Sequence, residues 1–348
     1  MSMDKIKLKL LKYVKSEGYQ ESEMQVLLSG KIINHTIVNT LRRVALQEVP
    51  TYAFHPSMIK ITQNDTVRNN DQLGKDYLCQ LCIPNVKHDV IFLPRKYWKD
   101  VDYPNVKKED RYSNDTKNIE IVVNSHNDTS ENIYITTHDH IAYYEDGNKI
   151  LNKFTKSESE LIAELRPNES LQFTAKAVIG VNTDTNRGGA IFSAARRVFF
   201  ERIDDEGKNN ISEEDVDYKL IVNSLGQLSE LEIMKRSCKI IIKKLDDIKY
   251  KINDGLKLLV EKSDRINIRI ENENHTLGNL LEYAIQDHPN VVGGAYTKPD
   301  HLVDAIHLIF EMEKKNDNPS KIINSIIEYL QKVFKNIEKE FNTFKEIK

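Results

Sequence analysis

The chain has 348 residues, enough for two or three domains and a sizeable buried core. Its 50 Lys and Arg against 53 Asp and Glu give a formal charge of -3, which excludes a global basic field for nucleic acid or an anionic membrane and leaves only local patches. A composition of 39% hydrophobic and 30% charged residues excludes a disordered chain, and three cysteines exclude a disulfide framework and point to free thiols in a reducing compartment. Met1 to Leu11 alternates Lys with Ile and Leu instead of forming the apolar run of a signal peptide. No later run approaches the roughly 18 apolar residues of a membrane span, so a soluble intracellular protein is expected.

In chain order, the first strong signal is a helix opened by Asn34-His35-Thr36, with Ile37, Leu41, Val44 and Ala45 along one face and a stop at Pro50. From Phe54 to Asn168 the chain is broken by polar loops at 63–65 and 100–118. Strand-like runs occur at Ile119 to Val123 and Ile133 to Thr137, and the segment reads as a mainly β domain inserted into a first unit. Leu171 to Gly180 alternates apolar and polar residues and is expected to return to that unit's sheet. Ser229 with Glu232 forms a capping box for a long helix carrying Leu231, Met234, Cys238, Ile241, Leu245 and Ile248 on one seam.

The polar stretch from Lys249 to Asp264, around Asn253-Asp254-Gly255, reads as a join. Beyond it the pattern repeats. Asn274-His275-Thr276-Leu277-Gly278-Asn279-Leu280-Leu281 matches Asn34 to Leu41 at an offset of 240 residues without a gap, and Leu277, Leu281, Ala284 and Ile285 occupy the same helical positions before Pro289. Asn318-Pro319 then caps a second long helix with Ile323, Ile326, Leu330, Val333, Ile337, Phe344 and Ile347 on its seam. The chain is two related units, each with a short and a long helix.

Chemistry-bearing patterns are sparse. Arg187-Gly188-Gly189 lacks the later glycines and Lys-Ser/Thr ending of a phosphate loop. Cys79 and Cys82 have metal-ligand spacing but lack two further ligands, and read as buried thiols in a strand. His126, His138 and His140 can be drawn as a three-His metal centre, the basis of an alternative reading as a stand-alone metal-dependent hydrolase. No carboxylate or glycine pattern accompanies them, so a solvated strand and loop is the plainer reading. The repeated His35 and His275 suit capping or packing better than catalysis, with no Ser or Cys nucleophile beside them. Arg196-Arg197, Phe199-Phe200 and Arg202 form a basic, aromatic cluster suited to a protein interface or to nucleic acid. Arg42-Arg43 lie away from the apolar face of the first short helix, where the second carries Glu282-Tyr283; a solvated face and a contact surface are both open.

The segment Asn39-Thr40-Leu41-Arg42-Arg43-Val44-Ala45-Leu46-Gln47-Glu48-Val49-Pro50-Thr51-Tyr52-Ala53 resembles the signature helix of the alpha-like subunits of cellular RNA polymerases, among them bacterial alpha, archaeal D and the third-largest subunit of polymerase II. His275-Thr276-Leu277-Gly278-Asn279-Leu280-Leu281, with Pro289, Val291, Gly294-Ala295-Tyr296 and Pro299, resembles the partner subunit, archaeal L or the eleventh subunit of polymerase II. One chain carrying both is similar to the fused form of nucleocytoplasmic large DNA viruses. The resemblance implies an α+β fold of two dimerisation units about a pseudo-twofold axis: residues 1–53 with 169–262, an insert at 54–168, and a second unit at 263–348. It implies a non-catalytic assembly platform without catalytic residues, resident metal or cofactor. The expected partners are the largest and second-largest catalytic subunits and small zinc-binding subunits, with DNA touched only through the complex and no membrane. The expected interface residues are Asn39, Leu41, Arg42, Arg43, Arg196, Arg197, His275, Thr276, Leu277, Asn279, Leu281, Glu282 and Tyr283, with the first unit meeting the second-largest subunit. The cysteine-bound cluster of cellular members is not expected here. The expected location is the virion and host cytoplasm for a viral chain, otherwise the nucleus.

Overall fold

A computed structural model of the chain describes residues 6–15, 21–107, 110–112, 117–156, 159–183, 189–203, 216–253, 259–260, 265–300, 302–313 and 318–344. The Asp254-Gly255 centre of the join, the Arg187-Gly188 pair and Ile347 lie outside these residues.

The first unit opens with β1 (Lys7–Val14) and β2 (Glu23–Ser29), in which Met24, Val26 and Leu28 alternate into the core. Helix α1 (His35–Gln47) follows. The Asn34 side chain accepts a hydrogen bond from the Ile37 backbone, and the helix closes two residues before Pro50. The chain then enters the insert through β3 (Thr51–Asn64), β4 (Ile119–His126), β5 (Ile133–Thr136), β6 (Ile141–Glu145), β7 (Asn148–Ile150), β8 (Leu161–Leu165) and β9 (Ser170–Gly180). β10 (Ala195–Ile203), β11 (Asp217–Ser224) and the long α2 (Glu230–Asn253) complete the first unit. The second unit is β12 (Leu259–Val260), β13 (Arg265–Glu271), α3 (His275–Gln286), β14 (Val291–Thr297), β15 (Ala305–Met312) and α4 (Pro319–Phe341).

Sheet order gives the repeat its physical form. The first unit's antiparallel sheet runs β1-β2-β11-β10 and the second's β12-β13-β15-β14, so each strand has a counterpart at the same position. α1 lies on β10 as α3 lies on β14, α1 packs on α3, and α2 packs along α4. One hydrophobic core serves both units, joining Leu41, Val44, Met234, Ile241 and Leu245 to Leu281, Ile285, Leu308, Leu330 and Phe334. Each unit's apolar seam is covered by the other.

The expected return of Leu171 to Gly180 to the first unit's sheet is corrected. β9 pairs with β3 and β4 in a five-stranded sheet of order β3-β9-β4-β6-β7, which has its own core around Phe54, Ile121, Tyr143 and Phe173. β3 starts at Thr51 and β9 runs to Gly180, so the insert's edges move outward to the ends of these strands. Alternation in β9 marks a half-buried strand but does not say which sheet receives it. The β6–β7 hairpin turns on Asp146-Gly147, both with positive φ (53° and 82°), as a tight hairpin demands.

Buried polar clamps fasten insert to platform. The Gln227 side-chain amide donates to the carbonyls of Tyr52 (3.0 Å) and Ile83 (3.2 Å), and its oxygen accepts from the Tyr52 backbone (2.7 Å). From α2, buried Arg236 donates to the backbone carbonyls of His88 (2.5 Å) and Val90 (2.9 Å) while paired with Glu232 at 2.7 Å. Burial and the Arg236 charge push His88 down to about 3, so its ring is neutral at physiological pH. Of the capping box at Ser229, the Ser side is made, 3.3 Å from the Glu232 amide.

Candidate subunit-assembly surface

The two short helices meet at the pseudo-twofold axis, and their shared sequence folds into shared local structure. Asn34 and Asn274 both cap, the latter accepting from the Thr276 amide at 2.9 Å. His35 packs edge-on against Phe200 of β10 at 5.3 Å, and His275 against Tyr296 of β14 at 5.8 Å with a 3.1 Å hydrogen bond to its hydroxyl. The repeated histidines are thus packing partners of equivalent edge strands.

Leu41, Leu277 and Leu281 are core residues, and Thr276 is buried, while Asn39 and Tyr283 are half-buried and Asn279 is exposed. Arg42 and Arg43, expected together on an outer face, diverge. Arg42 Nε donates to Asn39 Oδ1 at 2.9 Å, and burial together with Arg43 pushes its guanidinium below the ordinary value. Arg43 instead reaches across the axis, and its Nε donates to Thr276 Oγ1 at 2.6 Å. Burial and Glu282 push the Tyr296 hydroxyl up while Arg43 opposes them, so the first unit's arginine and the second unit's glutamate act on one aromatic ring. Burial raises Glu282, against a hydrogen bond from the Tyr296 backbone. The expectation of two separate faces, one basic and one acidic, is therefore corrected: Arg43 belongs to the seam between the units, and Arg42 alone remains on the outer side.

Close approach explains two glycines here. A Cβ on Gly278 would lie 2.4 Å from Tyr296 Cδ2, and one on Gly294 would lie 2.3 Å from Ile285 Cγ2. The tyrosine ring sits directly on the helix backbone.

A buried charge cluster crosses the same seam. Lys244 Nζ of α2 lies 2.8 Å from Glu48 Oε2, just after α1, and 2.9 Å from Glu273 Oε2, just before α3. All three side chains are only 10–12% exposed. Burial would strip the Lys244 proton, but the two carboxylates outweigh it and hold the ammonium well above its ordinary range; burial, with Glu48 nearby, raises Glu273. Sequence reasoning passed over this cluster. The available signal was a lysine three residues after Ile241 on a seam that is otherwise apolar.

Arg196 and Arg197 are exposed on β10, an edge strand, beside a bulge. Arg196 pairs with Glu21 at 3.0 Å, and Arg197 donates to Asn223 at 3.1 Å with its guanidinium 5.1 Å from the Phe199 ring. Cys79 sits in a short helical turn (Leu78–Gln80), not a strand; the turn follows a helical segment (Gln72–Tyr77) whose first amide donates to the Asn69 side chain (2.8 Å). Burial raises both Cys79 and Cys82, the latter to about 11, which keeps them protonated. His126 bonds Ser170 (2.8 Å), and His138 bonds the Phe154 carbonyl (2.9 Å) from a loop after β5 in which His140 has φ 69°. The three do not converge. Among the described residues no group of three or more His, Cys, Asp or Glu is placed to hold a metal ion, and no helix is long and apolar enough to cross a membrane.

Comparison with known proteins matches this geometry. A family described as the RNA polymerase Rpb3/Rpb11 dimerisation domain matches residues 30–245, and a second of the same description matches residues 265–345. A protein of Acanthamoeba polyphaga mimivirus, named as a DNA directed RNA polymerase subunit, is 28% identical over 351 residues, covering 95% of this chain and 92% of the relative.

Proposed function

The chain belongs to the RNA polymerase Rpb3/Rpb11 dimerisation family and carries both dimerisation units, and we propose that it forms the platform on which the two large catalytic subunits of its polymerase assemble. It is a non-catalytic structural subunit of a DNA-directed RNA polymerase, and it assembles with other polymerase subunits. The observation that carries the reading is the single core shared by two units of equal topology: the dimer that the family makes is complete within one chain.

The finer assignments follow from the outer faces. The first unit, with Asn39, Arg42, Arg196 and Arg197, meets the second-largest subunit, and the second unit, with Asn279, Glu282 and Tyr283, meets the largest. With Arg43 drawn into the seam, the contrast left at matching positions, Arg42 on the first helix and Glu282 on the second, gives each large subunit a distinct address. Small zinc-binding subunits cap the assembly, and the exposed insert surface stays available to them. A viral relative supports placement in the virion and in the cytoplasm of the infected cell.

The test is co-purification of tagged chain with both large subunits. Arg42→Glu should retain the wild-type fold and lose one large subunit while keeping the other. Assembly of both at normal yield would overturn the proposed address.

A further inference from the structure

A platform built from two homologous units in one chain faces a pairing problem. First units of two chains could pair with each other, leaving their second units to do the same, because the shared topology offers every unit a similar apolar seam. Something must make the unlike pair the favoured one.

The buried seams of the long helices align in sequence at one constant offset. Met234, Ile241, Leu245, Ile248 and Ile252 of α2 correspond to Ile323, Leu330, Phe334, Ile337 and Phe341 of α4, all buried. On this alignment the α4 counterpart of Lys244 is Val333, 1% exposed. On the ungapped repeat of the short helices, the counterpart of Glu273 is Ile33, 0% exposed, and that of Glu48 is His288. The charge cluster therefore has no mirror image across the axis.

We propose that Glu48, Lys244 and Glu273 are the pairing-specificity residues of the chain, selecting the first unit against the second and rejecting the pair of two second units. In a second-with-second pair, each Glu273 would face Val333 in place of the ammonium and, in place of Glu48, His288, whose two ring nitrogens already bond Ser325 and the Asn290 amide; the buried carboxylate would lose its cation, which is strongly unfavourable. In a first-with-first pair, Lys244 would keep Glu48 but meet Ile33 in place of Glu273. The penalty is thus concentrated on one of the two wrong pairs, and one is enough: the units are joined one to one, so two chains cannot pair their first units without leaving their second units to self-pair. This inference rests on the pairing of units within the chain and is independent of which polymerase subunits dock on it.

The test uses the full chain and sedimentation velocity after refolding at several concentrations. Glu273→Ile, which gives the second unit the first unit's residue and leaves Lys244 paired with Glu48, should raise the dimeric fraction at least tenfold over wild type. Glu273→Gln, a near-isosteric change, should raise it in the same direction and serves if the isoleucine variant fails to fold. Lys244→Glu combined with Glu273→Lys, which restores opposite charge across the axis, should bring the dimeric fraction back toward wild type. A variant at Glu273 that folds and remains as monomeric as wild type would overturn the inference, as would a charge-swapped double variant that stays as dimeric as the single ones. Dimers formed by exchanging whole halves keep every cluster intact and would appear equally in wild type, so a dimeric fraction unmoved by Glu273 also counts against it.

Discussion

Helices α1 and α3 share a cap, a repeated histidine, the apolar face and a place at the axis, yet differ at the buried position next to its first residue: Val38 in the first and Gly278 in the second. In α3 the Tyr296 ring occupies the space a side chain would fill, and its hydroxyl meets His275. In α1 the corresponding histidine packs against Phe200, which has no hydroxyl to offer. The comparison teaches that a repeat preserves packing sites while exchanging which element fills them, so that volume moves from helix to strand.

The strongest challenge to the shared core is a charge on either helix. Leu41→Asp and Leu281→Asp, both fully buried, should each cost about 4 kcal/mol or more, since the carboxylate has no cation within the apolar seam. Melting temperature and soluble yield should fall sharply and to similar extents. An ordinary melting curve for one variant and not the other would show that the two units do not contribute equally to one core.

The glycine–tyrosine exchange can be tested on the second unit. Gly278→Ala should destabilise by about 1–3 kcal/mol, the range for overpacking, because the added Cβ would lie well inside contact distance of the Tyr296 ring. Urea unfolding of Tyr296→Ala and of the double variant completes a cycle, with a smaller cost for Gly278→Ala once the ring is gone. Equal costs in both backgrounds would mean that the ring does not set the glycine.

Across the axis, Thr276→Val removes the acceptor for Arg43. The expected loss is about 1 kcal/mol, modest because half-buried Arg43 can regain water. Thr36→Val, at the equivalent position of the first unit, should cost less, since its counterpart across the axis is Tyr283 rather than an arginine. Similar costs for both would erase the asymmetry.

Local signals carried much of this architecture into the sequence. Asn34, Asn274 and Asn318 announced their helices, and the seams of α2 and α4 were written in three-and-four spacing. Relations between distant segments were not written there. The partner of β9 is chosen by where β3 and β4 lie, and Arg43 reads as a surface residue of an amphipathic helix until a second helix is placed against it. Lys244 and Glu273 look solvated one at a time; only their meeting, across two units, makes them tolerable inside.

The smallest expected effect concerns how the insert touches the second unit. Asp304, just before β15, pairs with Arg95 and, at 3.0 Å, with Lys99, both from the insert, and lies 3.7 Å from Lys298. Burial works against its ionisation, but hydrogen bonds from Arg95 and Lys99 outweigh it and hold the carboxyl below its ordinary value. A carboxylate lowered in the folded state binds fewer protons there than in the unfolded chain. Its stabilisation is therefore present above the ordinary carboxylate range and is lost as the pH falls through the lowered value. Because Asp304 is partly exposed, solvent screening limits the contribution to less than about 1 kcal/mol. Asp304→Asn should thus lower stability slightly at pH 7 and flatten its decline as the pH falls below the ordinary carboxylate range, with the difference shrinking in high salt. The first unit already holds the insert through Gln227 and Arg236, so this contact with the second unit makes the insert a strap over both halves of the platform. An unchanged acid profile in the variant would show the contact to be a solvated ion cluster that fastens nothing.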